Sequence, residues 1–415
     1  MNDGLRLYQK FLADQTIKQM FFFDQMKKES ARDTGRSAYI SLKTGYNRGL
    51  GIVAEGGTLP SPGNATKDEI AIPRAYPWIA CQFTEQVLKL AKQSDMVGEA
   101  ASALDEEMRD AADAMSQEYN RIMYNRDASG AMARINAASP AADLQLDAED
   151  FTPSSDADTT FSTKYLVEGD TLRSVTARTG VSESATDIVV AGFDHDNNQV
   201  KVNVVTGLAD NDYLVRKGNY GLEQVGLLGA IGTNNNTYIT LDRSNDSFSW
   251  FRPNIFYNDT TGDGSGTDRI LTDVILQKCI NRLVKRQKAK SLYLLNHPDV
   301  SLSLQQYLSA HGRYDPIANG TPVSGFDGVK VRINGKTVTM ESDEYCPNHV
   351  LFFIDLTTWK FWQIGEGFQW ADADGSILKF KFPADGTYVA YGMLWGYPVC
   401  HIPRRNGMLR DILVS

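Results

Sequence analysis

Asp194, Asp196 and Asn198 alternate along the chain in the way an oxygen-ligand calcium loop presents its side chains. The central glycine and the distal bidentate Glu of such a loop have no counterpart here, so a polar hairpin turn is the better reading. Cys346 and His349 are spaced as Cys-x-x-His, and Cys400 and His401 are adjacent. Structural zinc takes four such ligands in a tetrahedron. Nothing in the chain order brings the two pairs together, and Pro347-Asn348 reads as a turn. Gly262-Asp263-Gly264-Ser265-Gly266 precedes a helical pattern and resembles a phosphate cradle. It lacks the Gly-Lys-Ser/Thr of a P-loop and the full dinucleotide fingerprint, which leaves a flexible loop. No Gly-x-Ser-x-Gly occurs, and no serine, histidine and acid group together. The sequence therefore offers no catalytic set, no metal set and no cofactor motif, and an enzyme is not the reading it supports.

The bulk properties narrow the classes further. The chain has 415 residues, 42% hydrophobic and 22% charged, an ordinary globular composition. At this length roughly two to four compact units are expected. A formal net charge of −9 argues against a reader of nucleic-acid sequence, which needs a basic patch to release counterions. The four cysteines, Cys81, Cys279, Cys346 and Cys400, are far apart and read as buried thiols of a reducing compartment. The N-terminus carries no secretion signal, and no apolar run reaches the ~20 residues needed to span a bilayer, so no membrane partner is expected.

The elements follow from periodicity. Met20-Phe21-Phe22-Phe23 sits in a charged segment, residues 1–33, ahead of any evident core. Three adjacent rings cover every face of a helix or strand, and exposed rings mark a partner site. The alternative is that they pack on their own domain. Residues 34–83 hold two β-prone runs, Ser37–Leu42 and Ile70–Pro73, around a breaker-rich tip from Gly56 to Asn64. That pattern predicts a large hairpin with little core of its own. Leu104, Met108, Ala111, Met115, Tyr119 and Ile122 recur at steps of three and four, predicting a helix over 95–125, roughly 45 Å long. Acids crowd its early turns and Arg121 and Arg126 its end, as the helix dipole favours. Residues 136–158 read as a linker, and 159–219 as a small β module. A helix is expected near 268–288, buried strands at Ser291–Leu295 and Val350–Ile354, a short helix from His297-Pro298, and one long strand from Thr387 to Cys400.

Several of these stretches, in order, resemble one family. Ala54-Glu55-Gly56-Gly57-Thr58-Leu59-Pro60 resembles the extended-loop signature of tailed-bacteriophage major capsid proteins with the HK97-type fold. The helix ending in Asn120–Asn125, before Gly130, is similar to that family's spine helix. The segments Tyr220–Ile231, Tyr238 to Trp250, Leu295–Pro298, Trp395–Val399 and Arg404–Asp411 resemble its middle and closing parts.

The resemblance implies an α+β, HK97-type capsid fold. Residues 1–33 would be the N-arm and 34–83 the extended loop. The peripheral domain with the spine helix would take 84–158, and the inserted β domain 159–219. Residues 220–289 would continue the peripheral domain and link to the axial domain at 290–375. Residues 376–415 would supply a peripheral strand and the axial tail. The implied function is a shell subunit that self-assembles into hexamers and pentamers. These would form the icosahedral virion capsid, built in the host bacterial cytoplasm and enclosing double-stranded DNA without sequence-specific binding. Implied partners are other copies of the chain, a portal, a separate scaffolding protein and a decoration protein. A separate scaffold is expected because only residues 1–33 precede the loop, which leaves no room for a long cleaved segment. Some members crosslink a loop lysine to a neighbour's asparagine. Lys43 and Lys67 are the lysines on offer, but no acceptor is marked, so no crosslink is expected. Candidate intersubunit contacts are Phe21, Phe22, Phe23, Glu55, Thr58, Leu59, Pro60, Asn64, Arg404 and Arg405. Competing readings are an encapsulin-like compartment shell, which shares the architecture, and a β-rich adhesin or glycan-binding protein.

Overall fold

Two runs, Leu292–Asn296 and Leu351–Asp355, are apolar at nearly every position, as strands buried on both faces must be. In the computed structural model they pair antiparallel at the centre of a six-stranded sheet, with Leu294 opposite Phe353. The strand order is Asn254–Tyr257, Gly407–Arg410, Leu351–Asp355, Leu292–Asn296, Lys336–Ser342, Val329–Ile333. The structure describes residues 22, 25–30, 38–73, 75–86, 108, 110–111, 113–115, 117–137, 143–147, 163–194, 197–233, 237–262, 267–310, 329–333, 336–363, 367–372, 375–380 and 386–414.

Side chains alternate across this sheet, so it serves two cores at once. Leu294, Leu351, Phe353 and Leu409 pack under helices Asp273–Asn281 and Pro298–Ala310, against Leu276, Ile280, Val300 and Leu304. Their neighbours Tyr293, Leu295, Phe352, Ile354 and Met408 point the other way, into a second core.

That second core is built on the helix that ends at Met123. Residues 117–123 are helical, as are 108, 110–111 and 113–115. Met108, Met115, Tyr119 and Ile122 are buried, the face that the three-and-four spacing marks; Leu104 lies outside the described residues. Against this face sit the three-stranded sheet of Lys27–Ser30, Trp359–Gln363 and Gly396–Cys400, and a four-stranded sheet centred on Thr387–Met393. The latter pairs along its whole length with Trp78–Thr84. The single strand expected from Thr387 to Cys400 is therefore two strands in different sheets, divided at Leu394-Trp395. Gly396 opens the second one, where a Cβ would stand 2.2 Å from the Phe361 ring. The ring packs on bare backbone.

The β module is a closed barrel with its own core of Leu144, Leu146, Leu172, Val190, Val200 and Leu214. Its strands in order are Tyr213–Arg216, Ala131–Ala137, Asp143–Leu146, Gln199–Val202, Ile188–Asp194 and Thr171–Val175, and the last pairs back to the first. It thus begins at Ala131, ahead of the expected boundary at 159. Two stretches at and within the presumed linker are ladder strands. Closure requires them, because a sheet lacking them would keep two open edges.

The extended segment is a two-stranded hairpin, Ala38–Lys43 against Lys67–Ile72, with Ala38 opposite Ile72 and Lys43 opposite Lys67. Ile70 and Ile72 anchor its base in this second core, and the Ala71 N–H donates to Thr240 Oγ1 at 3.3 Å. Beyond Lys43 the apolar side chains find no cover: Leu50 is 93% exposed and Leu59 81%.

Truncating a side chain at the sheet centre leaves a cavity that its neighbours cannot fill. Phe353→Ala is expected to cost about 3–5 kcal/mol. Leu59→Ala, on the uncovered tip, should stay within about 0.5 kcal/mol of the parent. Urea denaturation of the two variants beside the parent chain checks both.

Candidate functional site

The helix that carries Met115 and Tyr119 ends in a buried charge junction. Arg121 is only 3% exposed, and its Nη2 donates to both Glu223 carboxylate oxygens at 2.7 Å and to Glu118 Oε1 at 2.6 Å. Glu118 also meets Arg216 Nη1 of the barrel at 3.0 Å, and Arg216 reaches on to Asp170 at 3.0 Å. Asn125 completes the set, donating to Glu223 at 2.8 Å. Gly130, at φ +69, lets the chain turn beneath Glu223, where a Cβ would lie 2.8 Å from the carboxylate carbon. Burial pushes the Glu118 carboxyl up, but Arg121 and Arg216 together outweigh it and hold it below its ordinary value. Burial likewise disfavours the Arg121 charge, and Glu118 and Glu223 more than restore it. The junction ties the helix to the barrel and to the segment that follows it.

A second junction ties both to the six-stranded sheet. The Tyr124 hydroxyl donates to Asp343 Oδ2 at 2.7 Å, and the Tyr345 N–H to Asp343 Oδ1 at 3.0 Å. The barrel's Tyr165 hydroxyl donates to the Tyr345 carbonyl at 2.8 Å.

The residues singled out for chemistry have structural roles. Asp194 accepts from the Asn197 N–H at 3.2 Å and its side-chain amide at 2.8 Å; Asn198, at φ 52, donates to the Leu146 and Asp147 carbonyls. These bonds make the polar turn between strands; Asp196 lies outside the described residues. Cys346 and Cys400 are fully buried. Burial pushes the Cys400 thiol up to about 12, the opposite of what a metal thiolate needs. His401 is held neutral, its pKa lowered to about 4 chiefly by burial, while it accepts from Trp362 Nε1 at 3.3 Å. His349 Nδ1 lies 2.9 Å from the Ile412 carbonyl. Gly262 closes a turn by donating to the Asp259 carboxylate, and 263–266 lie outside the described residues.

The candidate contact residues divide. Glu55, Thr58, Leu59, Pro60 and Asn64 are all exposed on the hairpin tip. Phe22 is not available to a neighbour. It is 1% exposed, and its ring sits edge-on to Trp359 at 5.3 Å. The sequence could not tell that a cavity beside Trp359 would accept it. Phe21 and Phe23 lie outside the described residues. Arg404 is exposed but bonded to Gln287 Oε1 at 2.9 Å, and Arg405 is half-buried. The Arg121 junction went unread because Arg121 and Glu223 are 102 residues apart.

No family model matches the chain, and no curated protein does. Solved structures do. The capsid asymmetric unit of cyanophage A-1(L) matches at 12% identity, covering 95% of this chain and 93% of that one, with a TM-score of 0.51. The capsid of a native GTA particle matches at 10% identity over 95% and 91%, TM-score 0.45. An encapsulin complex from Synechococcus elongatus PCC 7942 matches at 7% over 95% and 88%, TM-score 0.40. The chain has the fold of a phage capsid protein. The resemblance read in the sequence is met at that level.

Arg121→Met strips the buried carboxylates of their main countercharge, and a loss of roughly 3–5 kcal/mol is expected by denaturant unfolding. Acid should act in two stages. His401 is lowered in the folded chain, so its contribution is complete above the unfolded value of ~6.5 and is lost as pH falls toward about 4. Glu118, also lowered, contributes above ~4.3 and loses that contribution only as pH falls through its folded value. Melting temperatures between pH 7.5 and 3 should therefore decline in two steps, with the upper step missing in His401→Gln.

Proposed function

We propose that the chain is the major capsid protein of a tailed phage, assembling as hexamers and pentamers into an icosahedral shell around double-stranded DNA. The observation that carries the reading is the fold likeness to a cyanophage capsid subunit, which extends over 95% of the chain. The exposed hairpin supports it. A two-stranded ribbon is marginal alone, and this one leaves Tyr46, Leu50, Ile52 and Leu59 in water. An arm of this kind becomes ordered by lying on a neighbour. Heterologous contacts that close into rings supply such neighbours. The net charge of −9 suits a wall that encloses DNA without gripping it.

In this reading the hairpin is the extended loop. The spine helix and the sheets packed on it are the peripheral domain. The six-stranded sheet is the axial domain, and the barrel is the insertion. Glu55, Thr58, Leu59, Pro60 and Asn64 make contacts between subunits. The role is structural, with the virion capsid as the site of action and assembly in the host cytoplasm. A portal, a scaffolding protein and a decoration protein are the further partners.

Negative-stain electron microscopy of the purified chain, alone and with the products of neighbouring genes, tests this directly. Closed shells, rings or capsomer sheets are expected. Shells that carry an enzyme cargo and never nucleic acid would move the reading to an encapsulin-like compartment. A monomer under every condition would reject both.

A further inference from the structure

Helix Asp273–Asn281 and the π-helical turn Arg282–Arg286 that continues it bury one side, with Leu276, Cys279, Ile280 and Leu283, against the six-stranded sheet. The other side is cationic. Lys278, Arg282, Lys285 and Arg286 recur at steps of three and four, all exposed, in a row about 12 Å long. Arg282 is held over the Phe256 ring at 5.5 Å. The row continues past the helix. Lys288, at φ 58, turns the chain, Ala289 is buried, and Lys290 emerges exposed. Arg404 joins from the far end of the chain, donating from Nε to Gln287 Oε1 at 2.9 Å.

This face is unlike the rest of the surface. Between Asp273 and Asp299 the sequence holds six cations and no acid, against a formal net charge of −9 for the whole chain. Among the described residues none of the six forms an ion pair, whereas Arg121, Arg173, Arg216 and Lys217 each meet a carboxylate. Like charges three and four residues apart repel, and the helix dipole offsets that repulsion only in the last turn. Lys288, Lys290 and Arg404 lie beyond its reach. Cations massed in this way suit a polyanion from outside the chain. Between Val274 and Leu302 no large apolar side chain is exposed. The face therefore lacks the anchors of a protein–protein contact and the open rings on which the bases of a single strand stack. What it offers is a match for a phosphate backbone, which a duplex presents at one charge per about 1.7 Å of its axis.

We propose that this face binds duplex DNA through its phosphates, without reading sequence. The inference rests on the shell reading for the identity of the polyanion, the enclosed genome, and adds which side of the subunit meets it. The contact is local. Because the chain as a whole is acidic, the wall touches DNA at this face and is repelled by it elsewhere.

Fluorescence anisotropy of the full-length chain with short labelled duplexes of unrelated sequence tests this. Affinity should be alike for every sequence. Between about 50 and 200 mM salt it should fall roughly a hundredfold, as four phosphate contacts require. Lys285→Gln combined with Arg286→Gln should flatten the logarithmic salt slope by about two units. Lys67→Gln combined with Lys201→Gln removes the same charge from exposed lysines elsewhere and should leave the slope unchanged. Both double variants should melt with the parent. An unchanged slope in the Lys285/Arg286 variant overturns the contact. So does displacement of the duplex by polyglutamate as readily as by unlabelled duplex, which would make the face a site for an acidic protein segment. Shells seen beside either result leave the shell reading intact. A chain that binds duplex through this face yet never assembles keeps the contact and overturns the shell.

Discussion

A full positive charge inside a protein has to be answered on every side, and the Arg121 guanidinium is where this chain meets that requirement. Taking a single ion out of water costs several kcal/mol unless its partners are already in place. The partners come from separate stretches: Glu118 and Asn125 from the helix and its end, and Glu223 from the segment after the barrel, with Arg216 of the barrel bound in turn to Glu118. All must arrive together. A junction of this kind contributes less to stability than to geometry, because misplacing any element leaves a charge stranded. The barrel is thereby set at one angle to the helix, and the Tyr124–Asp343–Tyr345 bonds extend that setting to the six-stranded sheet.

Elements whose cause is local were legible in the sequence. The helix ending at Met123 announces its buried face through Met108, Met115, Tyr119 and Ile122, and the central strands do so through unbroken apolar runs. The hairpin is visible because Gly and Pro punctuate its tip. Elements whose cause is distant were not. Strand Ala131–Ala137 reads Ala-Met-Ala-Arg-Ile-Asn-Ala, a composition that favours helix, and becomes a strand because Tyr213–Arg216 and Asp143–Leu146 stand on either side of it. Asp143–Leu146 is a four-residue strand next to a stretch rich in Ala, Pro and Asp, with nothing local to mark it. The close approach of the Phe361 ring to Gly396, just past the break at Leu394-Trp395, joins residues that no pattern within the strand relates.

The same distinction applies to surface residues. Exposure of Leu59 and its neighbours follows from the hairpin's composition, and the sequence identifies them. Trp78 and Tyr76 belong by type to a core, and strand alternation alone cannot say which face of Trp78–Thr84 has no cover. That depends on where the barrel stands, and the barrel's position depends in turn on Arg121.

The distribution of apolar surface gives these observations one physical basis. Three cores satisfy most of the chain: one in the barrel and one on each face of the six-stranded sheet. Among the described residues, much of the large apolar surface left in water lies on the hairpin, at Tyr39, Tyr46, Leu50, Ile52 and Leu59. A chain that folds alone has no use for an apolar arm held out in water, since it costs solvation that burial elsewhere must offset. The arm is nevertheless held out by a rigid base: Ile70 and Ile72 are locked into the core beneath it. The buried guanidinium ties the barrel to the same body through Glu118 and Arg216, so the arm extends from one framework in which helix, barrel and sheet are joined.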